Sequence, residues 1–292
     1  MVARFQKYGS HNQAAAEFHH YWLDSQKRCR NRLPDHAVDY QALLQFREHG
    51  VTSWATEKSQ LIAKTIHQRL LAEEAVDSQC WDESNRYNKH LVKSYPELEE
   101  LFHDCIGGFL HAYFKTHYKI YYGLMYKSVY SSSAPRGSSI WHRDGGPGSC
   151  LNIMFSITPV NLANGALEVI SNLHTADLIK KTNKQWRRQQ NNAIVDDKAY
   201  HQQYRQAISN HVDSIIDNKC DSRPIQPTGE PGIIIPFLNN AFHRGGHAKE
   251  KTTRIVCIFH VYPSHTRADW TRYRDQGITK RSSFPTTPDE DF

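Results

Sequence analysis

The sequence predicts a mainly β protein with additional helices, in which an antiparallel barrel or jelly roll follows a helical N-terminal half. Short segments rich in aromatic and β-branched residues recur between residues 119 and 263, with turn residues between them. The chain before residue 119 instead carries apolar residues at helical spacing. A polar stretch at 174–216 interrupts the strands and is predicted to be a partly helical insertion.

In the helical half, Thr52 and Thr56 are candidate N-caps for a helix with one apolar face. A second helix is predicted to open at Pro96, because proline suits the first helical turn. The pair Gly107-Gly108 weakens the regularity of this second helix at its middle.

The strands are predicted from β-branched and aromatic runs that end in turns. Asn164-Gly165 is one such turn between apolar segments. The predicted strands cover residues 119–130, 140–144, 150–157, 166–170, 232–237 and 254–262.

The chain has 292 residues, of which 39% are hydrophobic and 23% charged, as is usual for a soluble globular protein. We expect a single domain: 1–118 as helical support, 119–263 as the β core, and 264–292 as a C-terminal tail.

The sequence has no apolar run near the roughly 18 residues that a membrane span needs. The first ten residues have no apolar segment typical of a secretion signal. A cytoplasmic location with free cysteine thiols is therefore expected.

The net charge of +6 raises the question of a nucleic-acid partner. The basic residues are spread along the chain, and no helix-turn-helix, zinc-finger or RNA-binding motif is found. No nucleic-acid partner is expected, although a non-catalytic β protein that binds nucleic acid or sugar stays an alternative. A small anionic substrate would fit the same charge.

The most informative segment is Trp141-His142-Arg143-Asp144. Residues i and i+2 of a strand point to the same face, so His142 and Asp144 would project together. An imidazole and a carboxylate side by side are two of the three ligands in the 2-His-1-carboxylate iron site. The third ligand must come from elsewhere in the fold.

A second histidine segment, residues 236–247, follows an apolar strand and ends in a turn. His243 is the predicted third ligand; His247, across the Gly245-Gly246 turn, competes with it. Arg254 then opens the next apolar strand. An arginine inside a barrel needs an anionic partner, and a carboxylate can accept two hydrogen bonds from it.

The order of these motifs resembles the phytanoyl-CoA dioxygenase family of Fe(II)/2-oxoglutarate oxygenases. The resemblance rests on the HxD strand, Asn-Gly-Ala-Leu-Glu-Val-Ile-Ser-Asn-Leu-His at 164–174, Gly229-Glu-Pro-Gly232, His243-Arg-Gly-Gly and Arg254, and it covers roughly residues 119–263. It implies a double-stranded β-helix of the cupin type, with iron on His142, Asp144 and His243. It also implies that Arg254 holds the far carboxylate of 2-oxoglutarate, and that O₂ is used with release of succinate and CO₂.

Other residues are weaker candidates for the cosubstrate site. Tyr126 and Lys127, on the strand before HxD, and Asn152, on the strand after it, are candidate contacts to 2-oxoglutarate. His174 has a position like that in the family, although a structural role is the simpler interpretation. A second contact to the far carboxylate stays open, because position 256 is valine rather than serine or threonine.

The sequence thus predicts a dioxygenase that hydroxylates a small polar or anionic substrate. The alternative enzyme is a cupin-like isomerase or hydrolase that uses a divalent metal without O₂. The insertion at 174–216 is interpreted as a lid, because long connections in compact domains are usually functional or disordered. Part of it is predicted to be helical from the spacing of Tyr204, Ile208, Val212 and Ile215.

Overall fold

The structure is a computed structural model of the 292-residue chain. It describes residues 11–29, 33, 38–77, 79–130, 132, 137–144, 150–171, 174–175, 178, 206–207, 209–216 and 223–278. Within these residues the α-helices are α1 (His11–Cys29), α2 (Tyr40–His49), α3 (Glu57–Val76), α4 (Leu91–Ser94), α5 (Glu97–Glu100), α6 (Gly107–Phe114) and α7 (Trp270–Gln276). The strands are β1 (His117–Val129), β2 (Leu151–Ser156), β3 (Leu167–Val169), β4 (Ile234–Leu238), β5 (His243–Gly245) and β6 (Thr253–Ser264).

Helix α3 begins where the sequence predicted a cap. The Thr56 side chain accepts from the Ser59 backbone N–H, and the Ser59 side chain accepts from the Thr56 N–H, so two free helical donors are satisfied. Thr52 is not a cap; its N–H donates to the Pro236 carbonyl at 3.2 Å. Residues 50–54 thereby run along the outer edge of β4 and cover it.

The second predicted helix is irregular where the glycine pair lies. Helix α5 follows Pro96, residues Leu101–Ile106 then form a π-helix, and α6 begins at Gly107. A Cβ on Gly107 would lie only 2.7 Å from the Phe102 carbonyl oxygen. The close approach of these two turns explains why glycine is needed at this point.

The β-strands form two antiparallel sheets. The larger sheet has the order β1-β6-β2-β4, and the smaller sheet pairs β3 with β5. One face of the larger sheet packs on the helices, as shown by Phe259 of β6 against Phe102 at 5.0 Å between ring centroids. The opposite face of this sheet, which we call the inner face, is turned toward β5.

The mixed helical and antiparallel β class is confirmed, and strands lie within or overlap five of the six predicted ranges. The range 140–144 differs, because only His142 pairs there, in a single bridge to His243. Closure of the two sheets into a jelly roll stays a prediction.

The insertion at 174–216 is described only in part. Residues 209–216 are helical, as the spacing predicted, and Val212 is fully buried against Trp141, Ile170 and Phe242. Residues 179–205 of the insertion, with the basic cluster at 180–188, lie outside the described residues, and of the predicted tail at 264–292 the structure describes 264–278, which include α7. Five of the six cysteines fall in the described part, and all five are free thiols. No helix of this part is long and apolar enough to cross a membrane.

We predict that Gly246→Ala destabilises the protein by about 1–3 kcal/mol, because its Cβ would lie 2.3 Å from the Ala166 carbonyl oxygen and force the paired strands β3 and β5 apart. Urea denaturation measures the free energy of unfolding. Gly245→Ala is the matched control, since its Cβ meets nothing closer than 3.6 Å. Equal unfolding midpoints for the two variants would contradict the prediction.

Candidate metal centre

Two histidines are joined through their backbones at the edge of the smaller sheet. The His142 N–H donates to the His243 carbonyl and the His243 N–H donates to the His142 carbonyl, both at 3.0 Å. Residues paired in this way present their side chains on the same face. The two imidazole rings accordingly lie 4.3 Å apart, centroid to centroid. The bridge therefore fixes the separation of the two rings.

Each ring is also oriented by its own strand. His142 Nδ1 lies 2.8 Å from the Ile140 carbonyl oxygen, and His243 Nδ1 lies 2.9 Å from the Ala241 carbonyl oxygen. A carbonyl can only accept, so Nδ1 carries the proton in each ring. In the neutral imidazole the lone pair is then on Nε2, the atom through which histidine commonly binds metal ions.

Asp144 completes the group. Its carboxylate oxygens lie 3.7 Å from His142 Nε2 and 3.7 Å from His243 Nε2. The Asp144 N–H donates to the Asn239 carbonyl at 2.8 Å, which ties this extended segment to the end of β4. The potential ligand atoms of the three residues all lie within 4.8 Å of one another. No other group of three or more potential ligands of this kind occurs in the described part of the chain.

The electrostatic surroundings keep Asp144 ionised. Burial would raise the pKa of this carboxyl, but His243, His260 and His142 in their protonated forms, together with a hydrogen bond from Asn152, lower it below its ordinary value. Asn152 Nδ2 donates to Asp144 Oδ2 at 2.5 Å. The site therefore combines two imidazole acceptors with a carboxylate, which is the donor set of a 2-His-1-carboxylate metal site.

Arg254 lies on the inner face beside this group. Its side chain is 1% exposed, and its Nε and Nη1 atoms have no hydrogen-bond partner among the described residues. Its Nη2 lies 3.6 Å from the position of a Cβ on Gly245, two residues after His243. A buried guanidinium without an acceptor is costly, and such a group fits an anionic ligand that is absent from the protein chain itself.

The strand register places the weaker candidates on different faces. Tyr126 is opposite Val256, two residues from Arg254, so it shares the inner face. Asn152 is on this face as well and bonds Asp144 directly. Lys127 lies on the opposite face, where its ammonium bonds Glu74 and stacks on Trp81 at 4.7 Å. The structure therefore does not bring Lys127 to the site, because strand alternation turns it toward α3.

The two other candidate histidines lie apart from this group. His247 is exposed, and only His142 and His243 accompany Asp144. The His174 N–H donates to the Ser171 carbonyl in a local turn.

Three inner-face residues near the site were not singled out from the sequence. His260 pairs with Asn152 across β6 and β2, Tyr122 contacts the His260 ring at 5.3 Å, and Phe237 contacts the His243 ring at 4.9 Å. His260 is an even number of positions after Arg254, so strand alternation alone would have placed both on one face. Tyr122 follows an irregularity in β1 between Ile120 and Tyr122, which the sequence does not reveal.

No protein-family model matches the chain, and no curated protein matches its sequence. The fold is nevertheless similar to those of solved structures. EctD from S. alaskensis, with 2-oxoglutarate and 5-hydroxyectoine, is 14% identical with a TM-score of 0.54, and the match covers 88% of each chain. A second EctD structure, with bound Fe, is 13% identical with a TM-score of 0.52 and 87% coverage of each chain.

The fold is also similar to that of SnoK, a non-heme alpha ketoglutarate dependent carbocyclase from nogalamycin biosynthesis. SnoK is 11% identical with a TM-score of 0.52, and the match covers 79% of this chain and 88% of SnoK. At such identities the likeness establishes the fold. The metal-binding chemistry is inferred from the residues of this chain.

We predict that Asn152→Ala weakens divalent-metal binding by roughly tenfold, because Asp144 loses the donor that orients it. The loss also removes one cause of the lowered pKa of Asp144, so that pKa rises. Metal binding needs the carboxylate, and its onset should therefore move to higher pH. Titration with Mn(II) at several pH values measures both effects. Ser156→Ala, on the same strand and face and equally buried, is the control; an unchanged pH profile for Asn152→Ala would contradict the prediction.

Proposed function

We propose that the protein is an Fe(II)/2-oxoglutarate-dependent dioxygenase that hydroxylates a small organic substrate. One observation carries this proposal: the buried Arg254, whose Nε and Nη1 have no hydrogen-bond partner among the described residues, shares the inner face with a group of two histidines and one aspartate. A metal site alone would suit many enzymes. A metal site beside a buried cation without a counterion suits a chelating acid whose second carboxylate reaches away from the metal.

In this proposal His142, Asp144 and His243 hold the iron. Their fit rests on the donor set, since the Nδ1 contacts to carbonyl oxygens put the lone pair of each neutral imidazole on Nε2, and the pKa of Asp144 is lowered. A facial set of three protein ligands leaves further positions for a cosubstrate and O₂. When bound, the iron and 2-oxoglutarate supply the oxidising chemistry, with succinate and CO₂ as coproducts. The Asn152 amide bonds Asp144, and the carbonyls of Ile140 and Ala241 bond the two imidazoles, so these contacts keep the ligands in place.

Arg254 is the proposed partner of the far carboxylate of 2-oxoglutarate. A guanidinium can donate two parallel hydrogen bonds to a carboxylate, and such a pair would satisfy donors that have no acceptor in the described residues. Tyr126 and Asn152 are proposed to line the cosubstrate site, because both share the inner face with Arg254. Lys127 is not part of this proposal, since Glu74 already binds it.

The substrate is proposed to be small and polar or anionic, in keeping with the net charge of +6 and with the His260 and Tyr122 side chains on the inner face. Membership of the phytanoyl-CoA dioxygenase family, a single domain with a closed jelly roll, and a lid role for 174–216 are further parts of this proposal. The motif order and the similarity in fold to EctD and SnoK support the family and the jelly roll, and the length of the insertion supports the lid role.

The test is anaerobic addition of Fe(II) and then 2-oxoglutarate to the metal-free protein. The proposal expects a weak visible absorption that appears only when both are present, followed by O₂-dependent succinate formation. Binding of metal without any effect of 2-oxoglutarate would instead support a cupin-like isomerase or hydrolase. Absence of metal binding would overturn the proposal.

We predict that His142→Ala and Asp144→Ala each abolish Fe(II)-dependent succinate formation and reduce Mn(II) affinity more than a hundredfold, because each removes one of three ligands. Isothermal titration with Mn(II) measures the affinity. His247→Ala is the matched control, since this histidine is exposed and outside the group. Retained Mn(II) affinity in His142→Ala and Asp144→Ala, or loss of this affinity in His247→Ala, would show that other residues bind the metal.

We predict that Arg254→Met leaves Mn(II) affinity within about threefold of the wild type but raises the dissociation constant of 2-oxoglutarate by a factor of roughly 30 or more, the loss expected when a charge-assisted pair is removed. The visible absorption titrated against 2-oxoglutarate gives this constant. The variant should also be more stable in its cosubstrate-free form, because an uncompensated buried charge is gone. Unaltered 2-oxoglutarate binding would remove Arg254 from the site.

A further inference from the structure

The face of the smaller sheet that points away from the proposed iron carries a charged cluster. Each residue beside a ligand in sequence points to the opposite side of its strand, so Trp141 and Arg244 meet behind His142 and His243. The Arg244 guanidinium lies over the Trp141 ring at 4.5 Å. Glu168, opposite Arg244 in the β3–β5 register, accepts from Arg244 Nε at 3.0 Å and from Nη2 at 2.9 Å.

The helical residues 209–216 of the insertion complete this cluster. One oxygen, Asp213 Oδ1, accepts from Trp141 Nε1 at 2.9 Å and from Arg244 Nη1 at 2.9 Å. Ser209 Oγ accepts from the Trp141 backbone N–H at 3.1 Å. The insertion thus bonds to Trp141, which precedes the ligand His142, and to Arg244, which follows the ligand His243.

Among the described residues, the segment that carries His142 and Asp144 makes three backbone hydrogen bonds to the sheets: two with His243 and one from the Asp144 N–H to the Asn239 carbonyl. Its pairing is a single bridge to His243, and residues 145–149 that follow Asp144 lie outside the described residues. By contrast, the Trp141 side chain is fully buried, and the side chains of Arg244 and Glu168 are 18% and 12% exposed. The cluster therefore connects the two ligand strands through a half-buried arginine rather than through a ladder of backbone bonds.

We infer that Arg244 and Asp213 are positioning residues, which set the separation and orientation of His142 and His243 and make metal affinity depend on the insertion. This inference rests on the proposed metal site. Asp213 Oδ1 bonds both Trp141 and Arg244, so its loss removes one hydrogen bond from each ligand-bearing segment at once. Arg244 contributes a planar donor that bonds two carboxylates while it stacks on an indole, and lysine cannot reproduce that geometry.

The chemistry of the cluster also explains why its effect should reach the ligands. Backbone shifts at Trp141 or Arg244 move the adjacent ligand directly, because only one peptide unit separates them. Ligand geometry tolerates only small errors, and loss of a group that orients a ligand costs about 10–100-fold in metal affinity. A cluster that only held the insertion onto the sheet would change stability without changing the metal environment.

The experiment compares Asp213→Ala, Asp213→Asn and Arg244→Lys with Ser214→Ala, a control on the exposed side of the same helix. Readouts are Mn(II) affinity by titration, the visible d–d spectrum of the Co(II)-loaded protein, and thermal unfolding without metal. We expect Asp213→Ala and Arg244→Lys to weaken Mn(II) binding by roughly tenfold or more and to alter the Co(II) spectrum. Asp213→Asn keeps an acceptor oxygen and should recover part of the affinity; Ser214→Ala should match the wild type.

The outcomes separate the two proposals. Suppose that the wild type binds Mn(II) and Co(II), and that the folded variants have the same Mn(II) affinity and the same Co(II) spectrum as the wild type. The positioning role is then overturned and the metal site stands. If the wild type binds neither metal, the metal site fails and this inference fails with it. Should Asp213→Ala not fold, Arg244→Lys and Asp213→Asn, which keep the size of the side chain, decide between these results.

Discussion

The pair of backbone hydrogen bonds between His142 and His243 is the constraint on which the site depends. These bonds place two imidazoles on one face at a fixed separation, although the residues are far apart in the chain. Everything else at the site refines that placement. The carbonyls of Ile140 and Ala241 set the tautomers, and Asn152 holds the carboxylate of Asp144 between the two rings. Without these two hydrogen bonds the separation of the two imidazoles would not be fixed.

The larger sheet supplies the rest of the site through its register. Asn152 of β2, His260 of β6 and Phe237 of β4 face the metal-binding group because all lie on one side of a single antiparallel sheet. The helices pack on the other side of this sheet, where Phe102 and Phe259 meet. Burial of that outer side keeps the strands in one register, and a slip of one residue would reverse every side chain.

The sequence predicted the parts of the site that depend on local periodicity. His142 and Asp144 could be placed together because strands alternate, and His243 and Arg254 because each lies beside an apolar strand. Strand alternation also places Tyr126 and Lys127 on opposite faces of β1, but it does not show which of the two faces is the inner one. That choice depends on the packing of β1 against α3 through Glu74, a contact between residues distant in sequence. The role of Asp213 could not be predicted either, since only the fold brings the insertion behind the ligands.

The burial of Arg254 has a consequence for the stability of the folded protein in the cell. A guanidinium that is 1% exposed, and that lacks an acceptor for two of its nitrogens among the described residues, raises the free energy of the empty folded chain. Any acid that neutralises it stabilises the folded state by mass action, in proportion to the logarithm of its concentration. The fraction of folded molecules would then rise wherever such an anion is abundant and fall where it is scarce.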